Sequence, residues 1–390
     1  MLDDIEYGPL ARTGAEFQLR VGKPGNFRRE PVLGHLQMRD QPLAILCGHG
    51  SAARRYGAQS NREKDPHVAY GRATVLMVWD NLRVSDTTVR AAVVQAAPVV
   101  FDLSGTLAKV RALTADAASK GAQLVVFPEA FVSGYPKGLD FGARVGLRTV
   151  EGRRMFRRYF ESAVEIPSAA ATELGAIARD HSVHLVIGVI ERAGGTLYCT
   201  VLFFGPDGEL LGKHRKLMPT AMERLVWGMG DGSTMPVFDT PLGRLGAVIC
   251  WENYMPLLRM AMYAKGIELY CAPTVDDRDT WARSMQHIAF EGRCFVLSAV
   301  QYLERKDCPE DYADTAPVLI RGGSVIVNPQ GVVLAGPHYG SETILIADLD
   351  RNEIAEGKFD LDVVGHYARP DVFRLIVNES AAPAAEFEKD

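Results

Sequence analysis

Hydrophobic and polar positions follow a regular pattern along the chain from residue 89 onward. The apolar runs 89–95 and 124–127 predict buried strands, and 102–120 between them has apolar residues at helical spacing, with Gly121 as its C-cap. Further helices are predicted at 169–180, 255–265 and 280–292, and further strands at 183–190, 196–204, 209–213, 237–239, 245–249, 267–271, 294–300, 324–327, 332–334 and 343–348. Strands first alternate with helices and later form hairpins, which predicts a layered α/β protein with mixed sheets.

Residues 1–88 lack such a pattern. They are broken by Gly, Pro and Arg, and no helical period persists, which predicts a poorly structured N-terminal extension. Because patterned sequence begins abruptly at Val89, we also hypothesise that Met77 is the natural start and that residues 1–76 come from an over-long reading frame. An intact mass from the native host that includes these residues would rule this out. The domain is predicted to span 89–378, and the small, acidic segment 379–390 to be a disordered tail.

The composition narrows the class of protein. The 390 residues are 47% hydrophobic and 23% charged, as in ordinary globular proteins, and no apolar run reaches the length of a membrane span. The N-terminus has no apolar signal-peptide region, and the net charge of −5 predicts no nucleic-acid partner. The six cysteines form no Cys-x-x-Cys pair, which predicts reduced thiols in a cytoplasm. They are Cys47, Cys199, Cys250, Cys271, Cys294 and Cys308.

Three predicted strands are followed by a residue with reactive chemistry: Glu129, Lys216 and Cys250. Such residues tend to converge at one edge of an α/β sheet. Together they suit a thiol nucleophile, a carboxylate that takes its proton and an ammonium that stabilises negative charge. Cys250 lies where a strand gives way to a predicted helix, whose N–H groups favour a thiolate. Taken singly, each residue has a commoner interpretation: a core thiol, a solvated carboxylate and a surface lysine.

Other catalytic arrangements fit less well. His214 and His287 are available for a Cys–His dyad, but neither lies in a local signature. The chain has no Gly-x-Ser-x-Gly, and the glycine-rich segment 228–232 lacks the Gly-Lys-Ser/Thr of a phosphate loop, so it is predicted to be a tight loop. The basic stretch 144–158 is interpreted as a solvated helix rather than a subunit contact.

Three motifs occur in a fixed order: Phe127-Pro-Glu-Ala with Gly134-Tyr-Pro, His214-Arg-Lys-Leu-Met-Pro-Thr, and Cys250-Trp-Glu-Asn-Tyr-Met-Pro. In them the chain resembles the nitrilases of the carbon–nitrogen hydrolase superfamily, from about residue 89 to about residue 374. The tryptophan after the cysteine resembles nitrilases, since amidase branches usually carry another residue there. The resemblance implies a four-layer α-β-β-α sandwich with mixed sheets.

The resemblance also implies the chemistry. An organic nitrile would be hydrolysed to the carboxylic acid and ammonia, with no metal or organic cofactor. Cys250 would be the nucleophile that forms a thioimidate and then a thioester, and Glu129 the general base. Lys216 would stabilise the intermediates, and Glu223 matches the supporting glutamate of the superfamily.

Three residues that lie in or after the segments of Glu129 and Cys250 are candidate substrate contacts. Tyr135 follows the Glu129 loop, Trp251 adjoins Cys250, and Thr274 ends the strand after the nucleophile helix. A packed aromatic residue is an equally good interpretation of Tyr135. Whether the nitrile is aromatic, arylaliphatic or aliphatic stays open.

The implied partner is a small-molecule nitrile, with no nucleic acid and no membrane. Members of the family often form homodimers, and many extend into spiral filaments. An amidase or a cyanide-converting enzyme (cyanide hydratase or dihydratase) of the same superfamily stays open as an alternative activity. A catalytically silent, filament-forming protein with this fold is a hypothesis of another class. The presence of all three polar residues argues against it, and titration showing no reactive Cys250 would revive it.

Overall fold

The computed structural model of the protein describes residues 87–385 and 387. In this part of the chain the strands are β1 Thr88–Gln95, β2 Leu124–Val126, β3 Ala143–Arg144, β4 Leu147–Arg148, β5 His184–Ala193, β6 Thr196–Phe204, β7 Leu210–Arg215, β8 Val237–Thr240, β9 Gly243–Ala247, β10 Leu269–Cys271, β11 Phe295–Ser298, β12 Tyr302–Glu304, β13 Val318–Val327, β14 Val333–Tyr339 and β15 Thr343–Asp350. The α-helices are α1 Leu103–Ser119, α2 Val150–Glu161, α3 Ala169–Asp180, α4 Pro256–Ala264, α5 Asp279–Gly292 and α6 Asn352–Asp360. Short 3-10 helices lie at Ala221–Leu225, Gly232–Thr234, Cys250–Tyr254 and Arg305–Asp307.

Two mixed sheets contain all but two of these strands. The first sheet has the order β15-β1-β2-β5-β6-β7, and the second has the order β12-β13-β11-β10-β9-β8, with β14 paired to β13. In each sheet a parallel core of three strands, β1-β2-β5 or β9-β10-β11, is flanked by antiparallel strands. The small strands β3 and β4 pair only with each other. The prediction of an α/β protein with mixed sheets is confirmed.

The two sheets pack face to face, and helices cover their outer faces. On β1, Ala91 and Val93 join the core between the sheets, whereas Ala92 and Val94 pack under α1 and α3. On the second sheet, Tyr270 faces the outer core that α4 and α5 cover. Strands buried on both faces have to be continuously apolar, which explains the unbroken apolar runs of the sequence. The predicted four-layer α-β-β-α sandwich is confirmed.

One buried side chain joins the two sheets directly. Gln95, the last residue of β1, accepts hydrogen bonds at Oε1 from the backbone N–H groups of Gly323 and Ser324 on β13, both at 2.9 Å. Its Nε2 donates to Ser341 O at 2.8 Å. Because Gln95 is completely buried, water cannot replace these partners. This side chain therefore fixes β1 against β13.

The element bounds differ from the predictions mainly near Cys250. The strand predicted at 245–249 ends at Ala247, and the helix predicted from 255 begins at Pro256 after the 3-10 helix Cys250–Tyr254. Helix α6 was not predicted, because only Ile354 and Gly357 in it are buried and no apolar period results. The helix interpreted as solvated at 144–158 lies at Val150–Glu161 instead, and its Tyr159 is fully buried.

The predicted domain boundaries stay predictions. Residues 1–86, with Met77 and almost all of the predicted extension, lie outside the described residues, and β1 begins at Thr88. In the predicted tail, residues 379–385 have no helix or strand, although Ala382 N–H donates to Asp231 Oδ2 at 2.9 Å. Within the described part of the chain, no helix is long and apolar enough to cross a membrane.

Candidate active site

The structure brings the three predicted strand-end residues together between the two sheets. Glu129 follows β2 and Lys216 follows β7 in the first sheet, whereas Cys250 follows β9 in the second. Lys216 Nζ donates to Glu129 Oε1 at 2.7 Å and to Glu223 Oε2 at 2.8 Å. Glu129 and Lys216 are completely buried and the Glu223 side chain is 9% exposed, so their charges interact with little screening by water. The predicted supporting residue Glu223 is therefore part of the same cluster.

Glu129 is held by its backbone as well as by its side chain. Gln301 Nε2 donates to Glu129 O at 2.7 Å, and the loop runs so close to β5 that only glycine fits at Gly188. A Cβ at Gly188 would lie 2.8 Å from Glu129 Cα and 2.7 Å from Ala130 N. Burial raises the pKa of Glu129, the Lys216 charge opposes this, and the Glu223 charge adds to it.

Lys216 is surrounded by carboxylate and aromatic groups. Burial alone would lower its pKa, but the charges of Glu129 and the other acidic groups around it raise the pKa well above its ordinary value. The ammonium lies 5.7 Å from the centre of the Trp227 ring. The Tyr135 hydroxyl donates to Glu223 Oε1 at 2.8 Å, and its ring meets Trp227 edge-on at 5.6 Å. Lys216 therefore stays protonated at neutral pH.

Cys250 occupies a strained turn. Its backbone has φ of +50°, and its N–H donates to Pro273 O at 2.9 Å. Asn253 Nδ2 donates to Cys250 O at 2.8 Å and holds the turn from the other side. A positive φ is costly for a residue with a side chain and is found most often at functional sites.

The prediction that helix N–H groups favour a Cys250 thiolate is not supported by the surroundings of the sulfur. Burial raises the pKa of Cys250, the Glu129 charge raises it further, and Lys216 opposes both. The 3-10 helix at Cys250–Tyr254 is short, and α4 begins only at Pro256, so little helix dipole acts at the sulfur. Cys250 is therefore a thiol at rest, and it needs a base to become a nucleophile.

The three candidate substrate contacts also lie around Cys250. The Thr274 side chain lies near the Cys250 thiol and opposes the rise of its pKa. Trp251 is 42% exposed, and its indole is fixed by a 2.8 Å hydrogen bond to Asp276 Oδ2 and by Arg278, 4.8 Å over the ring. A cavity of about 300 Å³ opens above the thiol. Its lining comprises Tyr135, Lys137, Thr220, Glu223, Cys250, Trp251, Val275, Asp276, Asp277 and Arg278.

Thr274 is completely buried and does not line this cavity, whereas Tyr135 and Trp251 do. The prediction that Thr274 contacts substrate is therefore not supported by its position, which instead suits a partner of the thiol. The roles of the other site residues stay predictions. The expected absence of a metal ion also stays a prediction, and no cluster of three or more potential metal-ligating side chains occurs among the residues described.

A buried ion pair beside the site was not recognised from the sequence. His214 Nδ1 lies 2.6 Å from Thr234 O, and Nε2 lies 3.0 Å from Glu252 Oε2. Glu252 also accepts from Leu217 N–H at 2.6 Å and Ile249 N–H at 2.9 Å. Burial alone would lower the pKa of His214, but the Glu252 charge and the hydrogen bonds raise it. Both ring nitrogens face hydrogen-bond acceptors, so the ring is an imidazolium. Its ion pair with Glu252 is a brace between β7, the strand that precedes Lys216, and the Cys250 turn.

Comparison with known proteins places the chain in a family. The model of the family described as carbon-nitrogen hydrolase matches residues 90–359. The chain belongs to this family. It is 58% identical over 313 residues to a bifunctional nitrilase/nitrile hydratase of Nicotiana tabacum, covering 78% of this chain and 90% of the relative. It is 59% identical over 303 residues to an aliphatic nitrilase of Sinorhizobium fredii, covering 76% and 98%.

A third relative, nitrilase 2 of Arabidopsis thaliana, is 55% identical over 305 residues, covering 76% of this chain and 90% of its own length. These relatives confirm the predicted nitrilase branch of the carbon–nitrogen hydrolases. Among solved structures, Saccharomyces cerevisiae Nit3, a member of branch 10 of the nitrilase superfamily, has a TM-score of 0.58 at 23% identity, covering 72% of this chain and 96% of its own. An amidase from Nesterenkonia has a TM-score of 0.54 at 22% identity, covering 69% and 92%. These two structures support the fold.

Proposed function

We propose that this carbon–nitrogen hydrolase converts an organic nitrile and two waters into a carboxylic acid and ammonia. The observation that carries the proposal is the buried cluster in which one ammonium joins two carboxylates beside the Cys250 thiol, at the base of a cavity. Relatives at 55–59% identity are named nitrilases, which favours nitriles as the substrate class.

In the first step the thiol adds to the nitrile. Glu129 takes the proton of Cys250 as the sulfur attacks the nitrile carbon, because the pKa of the thiol is raised and a preformed thiolate is not available. The C–S bond forms and one C–N π bond breaks. The nitrogen then takes the proton that Glu129 removed from Cys250, which gives the thioimidate and restores the Glu129 carboxylate. Lys216 and the backbone N–H of Trp251 stabilise the negative charge that develops on nitrogen.

Two waters then release the products. Glu129 deprotonates the first water, which adds to the thioimidate carbon to give a tetrahedral intermediate. Glu129 passes this proton to the nitrogen, the C–N bond breaks, ammonia leaves, and a thioester to Cys250 remains. The second water attacks this thioester with Glu129 again as base, which frees the carboxylic acid and restores the thiol. If the C–S bond of the tetrahedral intermediate breaks instead of the C–N bond, the product is the amide.

Product analysis with a nucleophile variant tests the proposal. A panel of aromatic, arylaliphatic and aliphatic nitriles is incubated with the native protein, with Cys250→Ala and with the control Cys271→Ala. We expect ammonia and acid from the native protein and the control, and none from Cys250→Ala. Mass spectrometry separates acid from amide and also tests amides and cyanide as substrates. Ammonia release by Cys250→Ala, or turnover of amides alone, would overturn the proposal.

We also propose that the protein is a cytoplasmic homodimer that extends into spiral filaments. The assembly is supported by the family to which the chain belongs, because the resemblance implies that its members often form homodimers and spiral filaments. Light scattering of the native protein and negative-stain microscopy test the assembly, and fractionation of the native host tests the location. A monomer in light scattering at micromolar concentration would contradict the assembly.

A further inference from the structure

A second thiol lies against the Glu129 carboxylate and has no part in the reaction described above. Cys199 is on β6, is 1% exposed, and places Sγ 3.5 Å from Glu129 Oε1. Its backbone is tied to the ammonium-bearing residue as well, since Lys216 N–H donates to Cys199 O at 2.8 Å. Its thiol and the Lys216 ammonium therefore reach the same oxygen of Glu129 from adjacent strand positions.

The Cys199 thiol is a proton donor at this contact. Burial raises its pKa well above the ordinary value, and the Glu129 charge raises it further. A thiol that keeps its proton donates a weak hydrogen bond, whereas a thiolate would repel the carboxylate. The contact is thus S–H to carboxylate oxygen.

The two carboxylate oxygens of Glu129 are consequently unequal. Oε1 receives hydrogen bonds from Lys216 and Cys199. Oε2 is buried and accepts no hydrogen bond of ordinary geometry from any described group. The Cys250 thiol nevertheless lies close enough to interact with this carboxylate. A carboxylate with one saturated oxygen and one free oxygen presents a single, defined proton acceptor.

We propose that Cys199 is a positioning residue whose S–H group holds Glu129 Oε1, so that Oε2 is presented to the proton of Cys250. This inference rests on the proposed function, because it assigns Glu129 the role of base. The competing interpretation is that Cys199 only fills space in the core between the sheets, to which it also belongs.

Matched thiol deletions separate the two interpretations. Cys271 on β10 is also a completely buried thiol of this core, and burial alone raises its pKa. Cys199→Ala and Cys271→Ala both remove one sulfur from the core, but only the first removes a donor to Glu129. The measurement is kcat/KM against pH for one nitrile, with the free energy of unfolding recorded for each variant.

The acid limb is the low-pH part of the profile, where kcat/KM rises as Glu129 ionises. We expect Cys199→Ala to shift this limb to higher pH by about 0.5–1 unit, because the carboxylate form of Glu129 loses a hydrogen bond. Cys271→Ala should leave the limb where it is in the native protein. Cys199→Ser keeps a donor, so its limb should lie closer to the native one than that of Cys199→Ala. If Cys199→Ala is not recovered folded, Cys199→Val, which fills the space without a donor, replaces it with the same expectation.

An unchanged limb in the variant that lacks a donor, or an equal shift in Cys199→Ser, would overturn the positioning role. The failure of this inference is distinguishable from the failure of the proposed function. Ammonia release by the native protein and its loss in Cys250→Ala concern the function alone. The shift of the pH profile concerns Cys199 alone.

Discussion

At the scale of single residues, the site is an arrangement of closely packed charges at the base of a cavity. Lys216 is in contact with two carboxylates, and Cys250 is a thiol at rest beside one of them. The nucleophile is therefore generated only when the base takes its proton.

The acid limb of the activity profile should report Glu129. Burial raises its pKa against the opposing Lys216 charge, with a further rise from the Glu223 charge, and the ionised form is the active one. We therefore expect kcat/KM to rise with pH through an apparent pKa above the value of about 4.3 typical of glutamate. Glu129→Gln should remove this limb and lower kcat/KM by about 10²–10⁴-fold. Initial rates across the stable pH range give both quantities, with circular dichroism as the control for unfolding. A limb at or below the ordinary glutamate value would contradict this expectation.

The sequence predicted Glu129, Lys216 and Cys250 because each follows a predicted strand within a recognisable motif, and the family resemblance added Glu223. They could not predict Cys199, which lies inside the apolar run of β6 and has the pattern of a core residue. Only the pairing of β6 with β7 brings it beside the site. The state of the Cys250 thiol was also not predictable, since it depends on burial and on a 3-10 helix that no periodicity revealed.

At the scale of elements, the distance between β5 and the Glu129 loop fixes the base. Gly188→Ala would place a methyl group against Pro128 O and Glu129 Cα and displace the loop. Because a shift of about 1 Å can cost 10²-fold in rate, we expect kcat/KM to fall by about that factor. The matched control is Gly195→Ala in the β5–β6 turn, where an added Cβ meets nothing within 4 Å. Equal rates for the two variants would show that the loop tolerates the methyl group.

The brace between β7 and the Cys250 turn should be visible in stability. Glu252→Gln leaves the buried His214 ring without its counter-charge, and breaking such a pair costs about 3–5 kcal/mol. The pKa of folded His214 is raised, so its contribution is complete below the unfolded value of about 6.5 and is lost as the pH rises through the folded value.

Urea unfolding at several pH values measures this contribution. The effect of Glu252→Gln should be largest near pH 6 and should shrink at higher pH, since the sign of the His214 shift requires it. Asp239→Asn, which breaks an exposed pair with Arg244, is the control and should cost at most about 1 kcal/mol. A cost for Glu252→Gln no larger than this control would contradict the brace.

At the scale of the whole molecule, the site depends on how the two sheets meet, because each sheet supplies part of it. Gln95 is the polar group that fixes this meeting. Gln95→Leu would leave two buried N–H groups without acceptors, and we expect a loss of about 2–6 kcal/mol in the free energy of unfolding. The exposed Gln123, which accepts from Arg90 N–H at 3.0 Å, gives the control Gln123→Leu with a much smaller loss. Similar losses of unfolding free energy in both variants would contradict the role of Gln95 in fixing the two sheets together.

The layered α/β class followed from the apolar pattern, because strands covered on both faces leave unbroken apolar runs. The assignment of strands to two sheets did not follow from it. The pairing of β1 with β15, for example, joins residues from opposite ends of the domain, and no local signal records such a contact. The four layers were predicted only through the resemblance of the motifs.

The pairing of β1 with β15 also has a consequence for synthesis. Thr88 lies opposite Asp350. The first strand of the domain to leave the ribosome therefore cannot pair on this edge until the last strand has been synthesised. Until Thr343–Asp350 has emerged, β1 is an open sheet edge that is free to pair with another nascent chain. Glu129, Lys216 and Cys250 have all been translated by then. Ribosome stalling or truncation before residue 343 should therefore yield an aggregating chain that contains every catalytic residue proposed above.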